Sequence, residues 1–311
     1  MAVGGFSAAD DHFHPGETED RSWTETAWFA AAVPERQMVI WTYPLFRSEL
    51  GVMSCGVYVW GPGAEELWQL PYYRHWWHLP IPEGIDLADF TLPNGLRYEV
   101  LEPLTAYRVA YADGDEIELD FTFRALQPPH GVGVVAGGRG HLDQFGRVTG
   151  EMTLAGERIE IDCVEMRDRT WGPRRESRKR TFLTYSYGAD RDANGFHFSA
   201  RYDEAKDRSE ILTGFLLRAG AAQPLAEGTC AVERDEAGRP ERVRIEARAE
   251  DGEEYEAIGT VLSRLSQPST PWYVWVSLVR WRLPDGSEVY GEHQDTWSPA
   301  ALRKFLRSRS S

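Results

Sequence analysis

Lysine is the scarcest charged residue in this chain, which contains only Lys179, Lys206 and Lys304. Arginine therefore carries nearly all of the positive charge, and we expect no mechanism that depends on a lysine Schiff base. Acidic residues outnumber basic ones by 49 to 34, and the formal net charge is −15. Because such a surface repels phosphate groups, we expect neither nucleic acid nor an anionic membrane surface as a partner.

Cysteine and long apolar runs are also scarce. Cys55, Cys163 and Cys230 are widely separated and form no Cys-x-x-Cys motif, so they predict neither a disulfide framework nor a zinc site. A reducing cytoplasm is the compartment that we expect for such a chain. No stretch reaches the roughly 18 to 20 apolar residues that a membrane span requires. The N-terminus also lacks the basic and apolar regions of a secretion signal.

Several familiar site motifs are absent. The chain has no Gly-x-Ser-x-Gly elbow and no His-Glu-x-x-His helix, which disfavours the common hydrolases. The glycines at 137–140 lack the spacing of a dinucleotide-binding loop, and we expect no cofactor. Asp11, His12 and His14 have side chains that can ligate a metal, but we interpret residues 1–22 as an irregular, solvated lead-in and expect no metal site.

What the chain does contain is a succession of short β-rich segments. Residues 116–123 alternate strictly between apolar and polar side chains, which is typical of a strand with one buried face. The long segment 273–283 carries apolar side chains on both faces. Hairpin turns are predicted where Asn or Asp precedes a glycine that tolerates positive φ, at Gly95, Gly114, Gly252 and Gly286.

One helix is predicted, at the C-terminus. Ser298 is the expected N-cap, Pro299 fits the first helical position, and Leu302, Phe305 and Leu306 form an apolar stripe. The composition and patterning therefore predict an all-β protein that ends in one short helix.

A length of 311 residues suggests about two domains. We place the boundary in the basic run 174–180, so that a first β domain spans 23–175 and a second spans 176–311. A weak internal echo is consistent with duplication. Its two copies are Glu165-x-x-Asp168-x-Thr170-Trp171 and Glu292-x-x-Asp295-Thr296-Trp297.

Residues 165–175 concentrate two acids, four arginines and an indole, and they end just beyond a Gly-Pro pair. Because nearby positive charge favours a carboxylate, we expect Asp168 to be held ionised. Two interpretations are open at this point. Asp168 is either part of a structural Arg–Asp clasp, or it faces a ligand cavity together with Trp171.

Two other segments offer candidate site residues. His141 and Asp143 share one face of a predicted strand, where they form either an acid/base pair or a hydrogen-bonded surface pair. Residues 72–78 are the densest aromatic cluster, and they carry two histidines. This cluster is either a plug at a barrel end or the wall of a cavity.

Three motifs resemble those of the lipocalin-like AttH and hydroxyneurosporene synthase (carotenoid 1,2-hydratase) superfamily, over most of the chain from about residue 20. They are Trp23-x-Glu25, Gly140-His141-x-Asp143-Gln144-x-Gly146-Arg147 and Arg167-Asp168-Arg169-Thr170-Trp171-Gly172-Pro173-Arg174. The resemblance implies two tandem lipocalin-like (calycin-type) antiparallel β-barrels or sandwiches with an apolar pocket in or between them. It also implies chemistry on hydrophobic polyenes, such as protonation, hydration, isomerisation or cyclisation, without a redox cofactor.

These observations lead to competing hypotheses of function. The first is a cofactor-independent hydratase, isomerase or cyclase, hence a lyase or isomerase, acting on a hydrophobic isoprenoid-, steroid- or polyketide-like molecule. In such an enzyme a dry pocket raises the pKa of an acid, and aromatic walls stabilise a carbocation. The alternative is a non-catalytic carrier of a hydrophobic ligand. A third possibility is a structural protein whose aromatic residues only fill two cores.

The candidate residues follow from the first hypothesis. The predicted catalytic residues are Asp168, His141 and Glu165. The predicted substrate-binding residues are Trp23, Trp28, His75, Trp76, Trp77, His78, Trp171, Tyr185 and Trp275.

Overall fold

The computed structural model describes residues 5–14, 20–64, 66–131, 138–174, 182–203, 208–269 and 272–309. Within these residues the chain forms eighteen strands and one α-helix, which confirms the predicted all-β class. The strands are β1 (Trp23–Val33), β2 (Met38–Arg47), β3 (Val52–Trp60), β4 (Tyr72–Pro80), β5 (Asp89–Thr91), β6 (Arg97–Glu102), β7 (Ala106–Asp113), β8 (Ile117–Ala125), β9 (Gly140–Leu154), β10 (Glu157–Pro173), β11 (Phe182–Ala189), β12 (Gly195–Asp203), β13 (Arg208–Arg218), β14 (Ala221–Arg234), β15 (Pro240–Ala249), β16 (Glu254–Ser269), β17 (Trp272–Arg282) and β18 (Glu288–Trp297). The helix α1 spans Pro299–Arg309. Apart from Arg174, the predicted basic linker lies outside the described residues.

The chain divides into two compact units. The first unit consists of the described residues within 1–35, 39–59 and 71–175. It contains one antiparallel ten-stranded sheet with the order β4-β3-β2-β1-β10-β9-β8-β7-β6-β5. Strands β1 and β10 come from opposite ends of this unit's sequence, and they pair at the centre of the sheet.

Alternation of side chains gives this sheet two faces with different contents. One face, called the core face here, carries Phe29, whose ring packs against Tyr98 at 5.2 Å, Tyr107 at 5.5 Å and Phe123 at 5.6 Å between ring centroids. The opposite face, called the acid face, carries Trp28 and its cross-strand partner Asp168. The two faces are distinct because successive residues of a strand point to opposite sides.

Residues 5–14 pack on the core face, so our expectation of a solvated lead-in is wrong for this segment. Asp11 is 5% exposed, and its carboxylate accepts hydrogen bonds from the Tyr107 hydroxyl and the Leu104 N–H, each at 2.7 Å. The Arg169 guanidinium also donates to the carbonyl oxygens of Asp10 and His12. A buried arginine on β10 therefore provides the donors that hold this polar segment against the sheet.

The second unit consists of the described residues within 36–38, 60–70 and 176–311. Its strands β11 to β18 pair in chain order and form a closed eight-stranded barrel. The predicted turns are confirmed in both units, since Gly95, Gly114, Gly252 and Gly286 all have positive φ. The barrel and the ten-stranded sheet together match the predicted lipocalin-like architecture.

The C-terminal helix packs against the barrel of its own unit. Ser298 caps it as predicted, because the Ser298 hydroxyl oxygen accepts a hydrogen bond from the Ala301 N–H at 3.2 Å. Phe305 lies 5.0 Å from Trp297 between ring centroids and contacts a cluster that includes Phe182 and Trp275. In the described parts of the chain, no helix combines the length and apolarity that crossing a membrane requires.

Candidate functional site

The central pair of strands in the first sheet assembles the candidate site. In the β9–β10 register, Asp168 lies opposite Asp143, and Thr170 lies opposite His141. Residues two apart on a strand share a face, so all four side chains project from the acid face. Ligand atoms of His141, Asp143 and Asp168 lie within 4.8 Å of one another. The structure therefore brings together the predicted residues His141 and Asp168.

The His141 ring is held at both nitrogens. Its Nε2 lies 3.0 Å from Asp143 Oδ2, and its Nδ1 lies 2.8 Å from Thr170 Oγ1. Burial lowers the pKa of His141, but the charge and hydrogen bond of Asp143, with the charge of Asp168, outweigh burial and raise this pKa to about 9. At neutral pH the ring is therefore an imidazolium that donates to both Asp143 and Thr170.

The pKa of Asp168 is raised as well, but for a different reason. Burial raises the pKa of its carboxyl group to about 6, against the opposing charge of His141 and with a further upward contribution from Asp143. Its Oδ1 atom is buried and has no hydrogen-bond partner among the described residues. Near pH 6 the site therefore holds an imidazolium beside a carboxyl group that is partly protonated, and at neutral pH this carboxyl group is mostly ionised.

Among the described residues no arginine forms a salt bridge with Asp168, which disfavours the clasp interpretation, and the pKa of Asp168 is raised where we expected arginines to lower it. Arg167 donates from Nε to Gln144 Oε1 at 2.7 Å, and Arg169 donates to Glu25 Oε2 at 2.6 Å. Both arginines project from the core face because they alternate with Asp168 along β10. Although these two arginines adjoin Asp168 in sequence, their side chains lie on the other side of the sheet and form no ion pair with it.

An indole lies next to this acid. Trp28 is the cross-strand partner of Asp168 in the β1–β10 register, and it is 3% exposed. Its ring packs edge-on against Trp41 of β2, with 5.2 Å between the ring centroids. The predicted binding residue Trp28 therefore lies on the acid face, and Trp41 extends the same aromatic surface.

The aromatic cluster of residues 72–78 forms β4, an edge strand of this sheet, and it divides between the two faces. Trp76 lies 6.1 Å from Tyr111, which belongs to the core face together with Tyr107. His75 and Trp77 alternate with Trp76 and therefore project from the acid face. The cluster is thus neither a barrel plug nor a single cavity wall.

The members of β4 on the acid face differ in exposure. The Trp77 ring is 52% exposed and lies 3.9 Å from the His75 ring. Burial lowers the pKa of His75 to about 4, so this ring is neutral at physiological pH. His78 is exposed and has a positive φ of 55°. Two strands, β3 and β2, separate these residues from the β1–β10 pair that carries the acid.

Besides Trp76, three predicted residues of the first unit lie on the core face, away from Asp168. Glu165 is fully buried. It lies three positions before Asp168 on β10, so the two carboxyl groups project from opposite faces of the sheet. Trp23 and Trp171 pack together with Leu142. The Trp171 ring also stacks on His14 with 4.0 Å between centroids.

The remaining predicted binding residues belong to the second unit. Tyr185 lies on β11 and packs edge-on against His197 at 4.7 Å between ring centroids. Trp275 is buried in the aromatic cluster that contacts α1. Neither residue contributes to the cluster around Asp168 on β9 and β10.

Two contributors to the site carry weaker sequence signals. Thr170 fixes one nitrogen of His141, and its signal is the register of two adjacent strands, which a single sequence does not reveal. Arg174 lowers the pKa of both His141 and Asp168 through its charge. Its guanidinium lies 3.4 Å from the Tyr43 hydroxyl of β2.

The same cluster is the group of described residues that could ligate a metal ion, through one nitrogen and two carboxylate oxygens. A metal would have to displace the proton of the His141 imidazolium, because only the neutral ring is a ligand. The positive charge of that ring already balances one of the two carboxyl groups. A bound cation would therefore compete with the proton of His141.

The closed barrel and the curved ten-stranded sheet define a lipocalin-like fold. The chain belongs to the DUF7064 family, described as a domain of unknown function, whose family model matches residues 7–298. No curated protein sequence matches the chain.

Two solved structures share the fold. An AttH-like protein from Nitrosomonas europaea superposes with a TM-score of 0.62 at 14% identity, over 88% of this chain and 91% of that chain. Kievitone hydratase from Nectria haematococca superposes with a TM-score of 0.54 at 12% identity, over 90% of each chain. These similarities confirm the predicted fold.

Proposed function

We propose that this protein is a lyase of the hydratase class, which adds water to, or removes it from, a carbon–carbon double bond of a hydrophobic small molecule. The observation that carries this proposal is Asp168, a carboxyl group with a raised pKa and an unpaired buried oxygen, placed next to the Trp28 indole. The fold shared with kievitone hydratase supports the same class of reaction.

In the first step, the protonated carboxyl group of Asp168 transfers its proton to one carbon of the double bond. A C–H bond forms, the π bond breaks, and the adjacent carbon becomes a carbocation. Water then attacks this carbon through its oxygen, and its surplus proton returns to the Asp168 carboxylate. The sum is the addition of one water molecule, with Asp168 restored, and the reverse sequence is dehydration.

The neighbours of Asp168 tune this acid. Once Asp168 has released its proton, the positive His141 ring stabilises the carboxylate, which keeps the acid strong enough to react. Asp143 and Thr170 fix the orientation of His141 through the two ring hydrogen bonds. His141 is accordingly a positioning and electrostatic group in this mechanism, and the proton donor is Asp168.

Aromatic rings on the acid face suit the charged intermediate. The face of an indole attracts a cation, by an estimated 0.5 to 2 kcal/mol depending on how well water is excluded. Trp28 is buried beside Asp168, and Trp41 packs against it. Isomerisation or cyclisation of an isoprenoid-, steroid- or polyketide-like ligand would begin with the same proton transfer and differ only in the fate of the carbocation.

A carrier of hydrophobic ligands is the alternative function for this fold. Such a protein needs an aromatic surface but has no use for an unpaired acid. Replacing Asp168 with Asn separates the two functions, because a carrier keeps its ligand affinity and has no reaction to lose.

The test uses kievitone first and then a panel of hydrophobic alkenes, incubated with the protein in deuterated water. Mass spectrometry should detect a product that has gained one hydroxyl group and one carbon-bound deuterium. Asp168→Asn should abolish this product, and Asp120→Asn, on the exposed Arg108–Asp120 pair, serves as the matched control. Equal turnover by the wild type and Asp168→Asn would refute Asp168 as the acid.

A further inference from the structure

Arg174 lies at the end of the strand that carries Asp168, and within the described residues it forms no salt bridge, although its charge acts on Asp168. It follows β10 directly, its backbone N–H donates to the Ser22 carbonyl oxygen at 2.7 Å, and its side chain is exposed. In the described part of the chain its guanidinium has one hydrogen-bonding partner, the Tyr43 hydroxyl at 3.4 Å. By contrast, several other arginines of the first unit pair with acids, namely Arg74, Arg108, Arg147, Arg158 and Arg169.

The position of Tyr43 links this cation to the acid face. Tyr43 and Trp41 flank Thr42, whose hydroxyl lies 2.6 Å from the Tyr98 hydroxyl on the core face. Alternation along β2 therefore puts Tyr43 and Trp41 together on the acid face. Trp41 in turn packs against Trp28, the partner of Asp168. The path from the acid to the guanidinium thus runs along one aromatic surface.

We propose that Arg174 and Tyr43 form a subsite for an anionic oxygen of the ligand, a carboxylate or a phenolate, whose hydrophobic body lies along Trp41 and Trp28. The ligand is then an amphipathic molecule with an acidic group at one end and the reacting double bond near Asp168. This inference rests on the proposed function for the position of the reacting bond.

Charge around the subsite supports an anion over a neutral ligand. Arg174 is positively charged, and so is the His141 imidazolium at neutral pH. The carboxyl groups of Asp143 and Asp168 lie within 4.8 Å of His141, whereas the Arg174 guanidinium forms no salt bridge within the described residues. A planar guanidinium also forms two parallel hydrogen bonds to a carboxylate, which gives both affinity and a fixed orientation. A phenolate would accept one of these bonds and one from the Tyr43 hydroxyl.

An anion at this subsite would also assist the reaction. Its negative charge partly cancels that of Arg174, which lowers the pKa of Asp168 in the free protein. Ligand binding would thus weaken one of the forces that remove the proton from Asp168. The acid would be protonated most fully when a ligand of the right charge is bound.

The experiment compares two fluorescent probes that share one ring system and differ in charge. 8-Anilinonaphthalene-1-sulfonate is an anion, and N-phenyl-1-naphthylamine is neutral. Dissociation constants are measured by fluorescence titration for the wild type and for Arg174→Gln. We expect Arg174→Gln to weaken binding of the anionic probe about tenfold, the range of a charge-assisted hydrogen bond, and to leave binding of the neutral probe unchanged.

Controls separate a local effect from a change in net charge. Arg158→Gln removes the same charge from an exposed arginine paired with Glu151 on the strand surface, and it should change neither affinity. Arg174→Lys keeps the charge and should recover part of the loss. Tyr43→Phe should produce a smaller loss than Arg174→Gln.

The outcomes distinguish the two proposals. Equal weakening of both probes by Arg174→Gln, or of neither, overturns the anion subsite, and so does failure of the wild type to bind the anionic probe. Binding of the neutral probe in any of these cases leaves the hydratase proposal standing. Failure of both probes to bind the wild type would overturn the hydrophobic ligand surface as well.

Discussion

The two units each contain a histidine and an aspartate two residues apart on one strand. In the first unit His141 Nε2 lies 3.0 Å from Asp143, and in the second His293 Nε2 lies 3.0 Å from Asp295. The other ring nitrogen lies 2.8 Å from a hydroxyl of an adjacent strand in both cases, supplied by Thr170 in the first unit and by its counterpart on β11 in the second. The hydrogen-bonding pattern of the two pairs is therefore the same.

Their surroundings differ in charge and exposure. His293 and Asp295 are fully buried, and the Arg234 guanidinium forms an ion pair with Asp295. Burial raises the pKa of Asp295, but the charges of Arg234 and His293 outweigh it and lower this pKa. Arg234 itself lies over four aromatic rings, so the second pair is closed off from any ligand.

The first pair has a second acid, Asp168, where the second pair has the cation of Arg234. Asp168 adjoins His141 with an unpaired oxygen, and the His141 side chain is 26% exposed. A His–Asp pair is therefore no indication of chemistry by itself in this fold. What marks the first unit as the candidate site is the Asp168 carboxyl group, which forms no salt bridge with a described arginine and whose Oδ1 atom has no hydrogen-bond partner among the described residues.

The largest effect on stability is expected from removing the cation that pairs with Asp295 in the second unit. Arg234→Ala leaves the Asp295 carboxylate buried without its cation, which should cost about 3 to 5 kcal/mol of unfolding free energy. Denaturant unfolding followed by tryptophan fluorescence measures this loss. Arg248→Ala, at an exposed pair with Glu227, is the control and should have no measurable effect. A loss as small as that of the control would show that Asp295 does not depend on its cation.

In the first unit, replacing Asp168 beside the His141–Asp143 pair should lower activity without lowering stability. Asp168→Asn should lower the rate of hydration by at least about 100-fold, the contribution typical of a general acid. Its stability at pH 8 should equal or exceed that of the wild type, because folding raises the pKa of Asp168 and thus disfavours its ionised form. An unfolded variant would instead mark Asp168 as a structural residue.

Activity and stability should both depend on pH through Asp168 and His141 of the first unit. Activity should fall as the pH rises above about 6, because Asp168 then loses the proton that it must donate. His141 acts on stability, since folding raises its pKa from 6.5 to about 9. Its contribution is fully present below pH 6.5 and is lost as the pH rises through about 9. Unfolding measured from pH 6 to 10 should show this loss in the wild type and not in His141→Gln.

Much of the fold could be predicted from the sequence because its signals are local. The alternation at 116–123, the turns at Gly95 and Gly286, and the Ser298 cap each depend on neighbouring residues. The pair His141 and Asp143 was predicted for the same reason, since residues two apart on a strand share a face.

Sequence-based prediction of side-chain neighbours fails where strand register and the face of the sheet decide which residues meet. Arg167 and Asp168 are adjacent in sequence but project from opposite faces, so their charges were combined wrongly. Conversely, Trp28 and Asp168 are 140 positions apart and become neighbours only through the pairing of β1 with β10. The internal echo aligned Asp168 with Asp295, whereas the contacts relate His293 and Asp295 to the pair on β9. Which distant strands pair cannot be read from local patterns in a single sequence.

The smallest expected effect concerns the hydroxyl groups that orient the two histidines. Thr170→Val removes the partner of His141 Nδ1 at a partly exposed position, where water can replace it, and should cost about 0.5 to 1 kcal/mol. Ser186→Ala removes the partner of His293 Nδ1 inside the barrel, where the unpaired nitrogen should cost about 1 to 3 kcal/mol. Denaturant unfolding of both variants measures the difference. A larger loss for Thr170→Val would mean that the His141–Asp143 pair on β9 is the less accessible of the two. It would remove the reason for placing the reaction there.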